Sequence, residues 1–342
     1  MTPIRTLIVD DSAFVRKVVR EILSAHPAIE VIGTARDGEE ALELTAALKP
    51  DIVICDLHMP KRDGVAFVRQ QMQIRPLPIL ILSAAAQDAA VVIDALNAGA
   101  FDVVRKPSAL ATDDLRAVQT ELLEKILAAA GARPRRAVAA AEVKPVAIVP
   151  HEARVDIVLI AISTGGPQAL RRMLPMLAAD FGVPIAIVLH MPVGYTALYA
   201  EKLNEVCGLE VKEAADGDAL LPGRVLLAQA GRHLIFRRTA PGTVVTQLSV
   251  MPIDKIHRPS ADVMFKSAAE VFRDRILAVV MTGMGDDGKE GSAWVKAQGG
   301  TVLTESEKSC VIYGMPRSVA EAGLSDAAIP LDDMAQAITS RI

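Results

Sequence analysis

Two series of short, almost wholly apolar runs, separated by amphipathic stretches, govern what this chain can fold into. The first series falls at 6–9, 31–33, 52–55, 79–82 and 103–104. Strands apolar on both faces belong in a parallel sheet covered on both sides, because a half-exposed antiparallel strand would alternate. Stretches such as SAFVRKVVREIL and DGEEALELTAAL supply the covering helices, and a helix over about 113–130 closes the unit. The second series begins at Val155, with strands expected at 157–161, 185–189, 225–228, 233–237, 244–248, 276–281 and 301–303. Helices fit 168–178, 196–205, 260–272, 289–298 and 331–339. Strand signals crowd together between Val211 and Val250 and read as a β-hairpin insertion. The fold class is therefore α/β throughout, as two doubly wound parallel domains, the second with a hairpin.

Between the two series the composition changes. GARPRRAVAAAEVKPVAIVP, residues 131–150, carries Pro134, Pro145 and Pro150, which break an Ala-rich helix and leave a partly extended linker. This gives domains over 1–125 and 153–342 with a linker over 126–152. A net charge of −4 creates no field for nucleic acid or acidic lipid, and 3% aromatic residues offer no base-stacking surface. Cys55, Cys207 and Cys310 form no CxxC pair, so neither a disulfide framework nor a zinc site is expected. The opening MTPIRTLIVDD is cut by two acids and does not read as a signal peptide. No apolar run reaches the roughly 18 residues that span a bilayer. A soluble, cytoplasmic protein without membrane insertion is the expectation.

In the first domain the strand ends carry chemistry. Asp10 and Asp11 end the first strand, Asp56 the third, Ser83 the fourth, and Lys106 follows the fifth. Parallel strands bring their carboxyl ends to one edge. Three carboxylates there repel one another unless a cation sits among them, and all-oxygen ligation suits Mg²⁺. An ammonium and a hydroxyl suit an incoming phosphoryl group, which a carboxylate can accept as an acyl phosphate. Any one of these acids alone would cap a helix or face water; five matched residues over four strand ends argue against coincidence. VDDS, CDLHMPKRDG, LSA and RKP, in this order, resemble a response-regulator receiver domain, a flavodoxin-like (CheY-like) fold. The resemblance implies that a histidine kinase phosphorylates Asp56. It implies Mg²⁺ held by Asp10, Asp11, Asp56 and the backbone carbonyl of His58, with Ser83 and Lys106 on the phosphoryl group. Receivers commonly carry an aromatic switch residue three positions before the lysine; here Val103 stands there.

In the second domain, VDIVLIAISTGGPQAL puts Ser163 between an apolar strand and a helix, with Gly165 and Gly166 permitting a sharp turn. A nucleophile elbow reads G-x-S-x-G, whereas Ala161 replaces the first glycine; neither GK[ST] nor GxGxxG follows this strand. From this stretch alone a helix cap is the leading reading. Two other strand ends add to it: His190 follows IAIVL, and Asp286 and Asp287 follow ILAVV. Parallel strands would gather serine, histidine and carboxylate at one edge, the parts of an acyl-transfer triad. His190 alone could be a core histidine, the two aspartates could cap the helix near Gly288, and His233 and His257 are rival bases. Cys310 reads as an inert buried thiol.

ISTGGP, LHMP, HRPSADVMF, MTGMGDDG and SCVIYGMP together resemble the catalytic domain of the CheB family of protein-glutamate methylesterases. The resemblance implies hydrolysis of glutamate methyl esters, and deamidation of selected glutamines, on methyl-accepting chemoreceptors. It makes Ser163 the nucleophile, His190 the base and Asp287, not Asp286, the carboxylate, with backbone N–H groups near Thr164 and Met284 as the oxyanion hole. The chemotaxis histidine kinase CheA would be the phosphodonor. Two other classes compete: a binding module with an inactive hydrolase domain, and a phospho-controlled serine peptidase or lipase. The intact Ser163, His190 and Asp287 argue against the first, and TGMGDDG and HRPSADVMF against the second. The resemblance further implies that the unphosphorylated receiver restrains the hydrolase, and that phosphorylation shifts the population towards an active state. Deleting residues 1 to about 145 is therefore expected to raise basal esterase activity. A truncated enzyme no faster than the intact, unphosphorylated chain would remove that restraint from the scheme.

Overall fold

The computed structural model describes residues 2–83, 88–106, 112–130, 132, 155–239 and 242–342. The chain divides into two units, Met1–Ala137 and Val138–Ile342. In the first, β1 (Ile4–Val9), β2 (Ile29–Ala35), β3 (Ile52–Asp56), β4 (Ile79–Ser83) and β5 (Asp102–Arg105) form one parallel sheet in the order β2-β1-β3-β4-β5. Helices α1 (Ala13–Ser24), α2 (Gly38–Leu48), α3 (Gly64–Ile74), α4 (Ala89–Ala98) and α5 (Thr112–Ala129) alternate with the strands. Every residue of β3 and β4 is buried, as expected for apolar runs covered on both faces. Helix starts follow local chemistry: Ser12, Asp37 and Asp63 each accept from backbone N–H groups of the first turn of their helix. The expected boundary at 125 falls inside α5, whose buried Leu122, Ile126 and Ala129 repeat at helical spacing. The rest of the expected linker, from residue 133 on, lies outside the described residues.

The second unit is built on seven parallel strands in the order β14-β13-β12-β6-β7-β9-β8. They are β6 (Ile157–Ile162), β7 (Ile185–Leu189), β8 (Glu210–Glu213), β9 (Arg224–Leu227), β12 (Ile276–Val280), β13 (Thr301–Glu305) and β14 (Ala327–Ile329). Between them run α6 (Gly166–Met173), α7 (Thr196–Asn204), α8 (Ala261–Phe272), α9 (Lys289–Ala297) and α10 (Met315–Glu321), with α11 (Leu331–Thr339) last. The antiparallel pair β10 (His233–Arg238) and β11 (Val244–Ser249) forms a separate hairpin.

The hairpin is narrower than the stretch 211–250 suggested. Val211 and Val225 pair in parallel within the main sheet, and only β10 and β11 make the hairpin. The difference is physical: β8 and β14 are edge strands with part of their residues facing solvent, β8 reads EVKE and β14 is only the 3 residues AAI, so neither shows the long apolar run of a central strand. Helix α10 also escaped the periodicity argument, being short and opened by Met315-Pro316. Helix α6 stops at Met173 and passes into a single 3₁₀ turn, Leu174–Met176, at Pro175.

The chain enters the sheet at β6, builds outward through β7, then returns to β12 on the other side of β6. The winding direction reverses there, which opens a crevice at the carboxyl end of β6. In the first unit the same reversal lies between β1 and β3.

Helices α8 and α9 cap one another. Asp262, in the first turn of α8, accepts from the Gly288 and Gly291 N–H groups at 2.9 and 2.8 Å, at the start of α9. Asp287, just before α9, accepts from the Ala261 and Asp262 N–H groups at 2.7 and 3.1 Å, at the start of α8. The helices approach so closely at Gly291 that a Cβ there would lie 2.6 Å from Phe265 Cβ and 2.9 Å from Asp262 Cα. Gly291→Ala is expected to push the pair apart and to lower stability by about 1–3 kcal/mol. Urea unfolding followed by far-UV circular dichroism measures this, and an unchanged midpoint would show that the helices separate freely.

Candidate active site

Ser163 follows β6 and His190 follows β7, one residue past the register pair Ile162 and Leu189. The His190 N–H continues the ladder to Ile162 O at 3.2 Å, so the two residues stand side by side at the crevice. On its other side β6 pairs with β12, and the Ser163 N–H reaches Thr282 O at 2.9 Å. Gly165, at φ 79°, turns the chain into α6 in a conformation that a side chain would strain. Gly283 packs against the serine so closely that a Cβ there would sit 2.8 Å from Ser163 Cβ.

Thr282 knits this end of the sheet together. Its hydroxyl lies 3.0 Å from Thr164 O and accepts the Ile312 N–H at 3.0 Å, while its own N–H reaches the buried Glu305 carboxylate at 2.9 Å. The three loops after β6, β12 and β13 are thus tied at one residue, which fixes the backbone around Ser163, Thr164 and Met284. The Met284 N–H has no hydrogen-bond partner among the described residues. Cys310 is buried in this network, with its thiol directed to Glu305 O at 3.8 Å.

His190 Nε2 lies 2.8 Å from Asp287 Oδ2. A carboxylate only accepts, so Nε2 carries the proton and the lone pair is on Nδ1. Nδ1 is buried and has no hydrogen-bond partner. The other Asp287 oxygen accepts the Ser260 hydroxyl at 2.8 Å and the Asp262 N–H, and Oδ2 also takes the Ala261 N–H. Burial pushes the Asp287 carboxyl up, but the His190 hydrogen bond, the charge that ring carries when protonated, and the Ala261 and Asp262 N–H groups outweigh it and hold it well below the usual carboxylate range. The start of α8, with its positive dipole end, adds to the same effect. Its neighbour Asp262 moves the other way, raised by burial and by the Asp287 charge.

The other candidates separate clearly. Asp286 is exposed and lines an open cleft of about 450 Å³ with Lys289, Arg317 and Glu321. Asp286 therefore does not compete with Asp287 for His190, nor does either side chain cap α9. His233, a rival base in the sequence, is fully buried: its Nε2 donates to Pro252 O at 3.0 Å and its Nδ1 accepts the Ser260 N–H at 3.2 Å. Burial keeps its pKa low, so it serves as a neutral brace for Ser260. His257, the other rival, is exposed and stacks on the His190 ring with centroids 4.2 Å apart. Sequence reasoning passed over Ser260. Its signal was there, a serine one residue before a helix, but its hydroxyl leaves the capping position open and serves Asp287 instead.

In the first unit, Asp10, Asp11 and Asp56 offer carboxylate oxygens within 4.8 Å of one another. Lys106 Nζ sits 2.9 Å from both Asp10 Oδ2 and Asp56 Oδ2. Burial pushes the Asp10 carboxyl up, the Lys106 ammonium pulls it down, and the Asp56 charge adds to the rise. Burial also works against the Lys106 charge, but the two carboxylates outweigh it and hold the ammonium's pKa up. A cluster of hard oxygen donors that strains to keep its own charge fits a small divalent cation. The Ser83 hydroxyl is directed to Asp88 Oδ2 at 3.3 Å, and the His58 ring meets Asp88 Oδ1 at 3.0 Å. Val103 is buried on β5, and its carbonyl takes the Lys125 ammonium at 2.7 Å. Among the described residues no helix is long and apolar enough to cross a membrane.

Comparison with known proteins follows the same division. Residues 6–118 match the model of the response regulator receiver domain, and residues 158–338 match that of CheB methylesterase. The chain is 46% identical to protein-glutamate methylesterase/protein-glutamine glutaminase 5 of Myxococcus xanthus, over 98% of this chain and 97% of that one. It is 38% identical to the protein-glutamate methylesterase/protein-glutamine glutaminase of Bacillus subtilis, over 98% of each. Among solved structures, the catalytic domain of Thermotoga maritima CheB methylesterase superposes with a TM-score of 0.52 at 40% identity, covering 54% of this chain and 97% of that one. A parallel sheet reversing at Ser163, an acid cluster at the reversal of the first sheet, and relatives matched over nearly their whole length place the chain in the CheB methylesterase family, with a response regulator receiver domain ahead of the catalytic one.

Proposed function

We propose that this chain is a phosphorylation-activated protein-glutamate methylesterase and protein-glutamine glutaminase acting on chemoreceptors in chemotactic adaptation, through a Ser163–His190–Asp287 acyl-enzyme cycle. The observation that carries the reading is the state of His190: Nε2 bound to Asp287 at 2.8 Å, Nδ1 buried without a partner, and Ser163 beside it at the crevice. The more familiar serine hydrolase arrangement uses the two nitrogens the other way round. Ser163 Oγ attacks the ester carbonyl and its proton passes to His190 Nδ1. The imidazolium then protonates the departing methoxide, methanol leaves, and a glutamyl-serine ester remains. Water gives a proton to Nδ1 and attacks that ester; the serine departs with the proton and the free glutamate is released. With a glutamine substrate, ammonia leaves in the first half. Asp287 holds the tautomer and stabilises the imidazolium. The Thr164 and Met284 N–H groups are assigned to the oxyanion, a role worth roughly 3–4 kcal/mol for such donors.

In the receiver, Asp56 is the phosphoryl acceptor, with Lys106 and Ser83 as contacts to the phosphoryl group and the histidine kinase CheA as donor. Asp10, Asp11, Asp56 and the His58 carbonyl would hold Mg²⁺, which supplies charge neutralisation for the carboxylates and the phosphoryl oxygens. The receiver domain, expected over 1–125, extends to the end of α5, the catalytic domain covers 153–342, and the site of action is cytoplasmic.

Methanol release from methylated chemoreceptor is expected to rise when Mg²⁺ and a small phosphodonor are added, to vanish in Ser163→Ala, and to lose only the phosphodonor response in Asp56→Asn. Release that persists in Ser163→Ala would move the nucleophile elsewhere.

Asp287→Asn is expected to lower kcat by about 10⁴-fold, because the amide stabilises the wrong tautomer. The same substitution has a signature in stability. A carboxyl whose folded pKa is depressed contributes stability that is complete above its unfolded value of about 4, and lost as pH falls through the folded one. The wild type should therefore lose stability below about pH 4 more steeply than Asp287→Asn, read from urea midpoints across an acid series. Parallel acid limbs would show that Asp287 is not held low.

A further inference from the structure

We propose that His257 is a positioning residue for this reaction: its ring, stacked on His190, fixes the plane of the general base and so aims Nδ1 at Ser163. The proposal rests on the Ser163–His190–Asp287 reading above. The two rings lie with centroids 4.2 Å apart and planes 17° from parallel. Packing apart, the His190 ring is held at two points, its attachment to the backbone and the hydrogen bond from Nε2 to Asp287 Oδ2. Those points lie at opposite ends of the imidazole, so the ring can tilt about the line joining them without breaking either restraint. Such a tilt swings Nδ1 out of line. Nothing bonded to Nδ1 opposes it, because that atom has no partner. A flat neighbour on the ring face opposes this rotation.

The loop that carries His257 is braced for that task. Before it, Pro252 O accepts from His233 Nε2 at 3.0 Å, and Lys255 Nζ is paired with Glu290 at 2.6 Å and Asp262 at 3.3 Å. Just after it, Arg258 O accepts the Gly231 N–H at 2.9 Å, and Ser260 is bonded to Asp287. His257 is itself exposed, but residues on either side of it, Lys255 and Ser260, are tied to α8, α9 and the carboxylate that holds His190. The side chains at Ile253 and Ile256 of this loop are exposed, which leaves the tethers and not a core to hold it in place.

The test compares His257→Ala, His257→Leu and His257→Phe with wild type and Ser163→Ala in the full chain, by methanol release from methylated chemoreceptor over a range of receptor concentrations. Unfolding midpoints are measured on every protein. The alanine and leucine proteins are expected to lose up to about 10²-fold in kcat with KM unchanged, the size of effect that small misplacements of a catalytic group produce. The phenylalanine protein, which keeps a flat ring but cannot move a proton, is expected to recover most of kcat. Unchanged kcat in His257→Ala, a loss confined to KM, or a failure of phenylalanine to restore kcat at a wild-type midpoint would each overturn the proposal. Should the alanine protein unfold, the leucine and phenylalanine pair carries the same comparison. Full release by Ser163→Ala would overturn the nucleophile assignment itself, and this proposal with it.

Discussion

One buried carboxylate organises the catalytic unit. Asp287 accepts the Ser260 hydroxyl, two backbone N–H groups of α8 and His190 Nε2. A carboxylate removed from water stays charged only when its oxygens are satisfied in this way, and leaving one such group unpaired costs several kcal/mol. The same four donors that stabilise the ion also fix its position. Asp262 repeats the arrangement in the opposite sense, capping α9 from the first turn of α8. The orientation of His190 is therefore inseparable from the packing of two helices, and the close approach at Gly291 supports the site although it lies away from the His190 ring.

Both units use the same geometric opportunity for different chemistry. A parallel sheet gathers strand ends along one edge, and where the strand order reverses the flanking loops part and leave a crevice. In the first unit the crevice lies between β1 and β3 and receives Asp10 and Asp56, with Lys106 arriving from beyond β5. In the second it lies at β6 and receives Ser163, with His190 from β7 and Asp287 from beyond β12. Acids and an ammonium suit a cation and a phosphoryl group, whereas a hydroxyl, an imidazole and one shielded carboxylate suit acyl transfer. The fold supplies the place and the residue types decide the reaction.

Around Asp56, the Ser83 hydroxyl and the His58 ring converge on Asp88, while Val103 takes the place of the aromatic residue that receivers commonly use as a switch. Its carbonyl is bound by Lys125 from α5, which ties the last strand to the last helix at that position.

Much of this was legible in the residues. Continuous apolar runs named the central strands, since a strand covered on both faces leaves no polar side chain to interrupt it. The residues just past those runs named the site, since parallel strands end together. Edge strands β8 and β14 were not legible, because half of an edge is wet and its pattern merges with that of a loop. The choice between Asp286 and Asp287 was open on spacing alone; burial and the start of α8 bring Asp287, and not Asp286, to His190. The place of each histidine was likewise a tertiary matter. His190, His233 and His257 are the same side chain in the sequence, and only the partners that folding brings to each ring nitrogen and each ring face set one against the buried carboxylate, one as neutral support and one as a stacked neighbour.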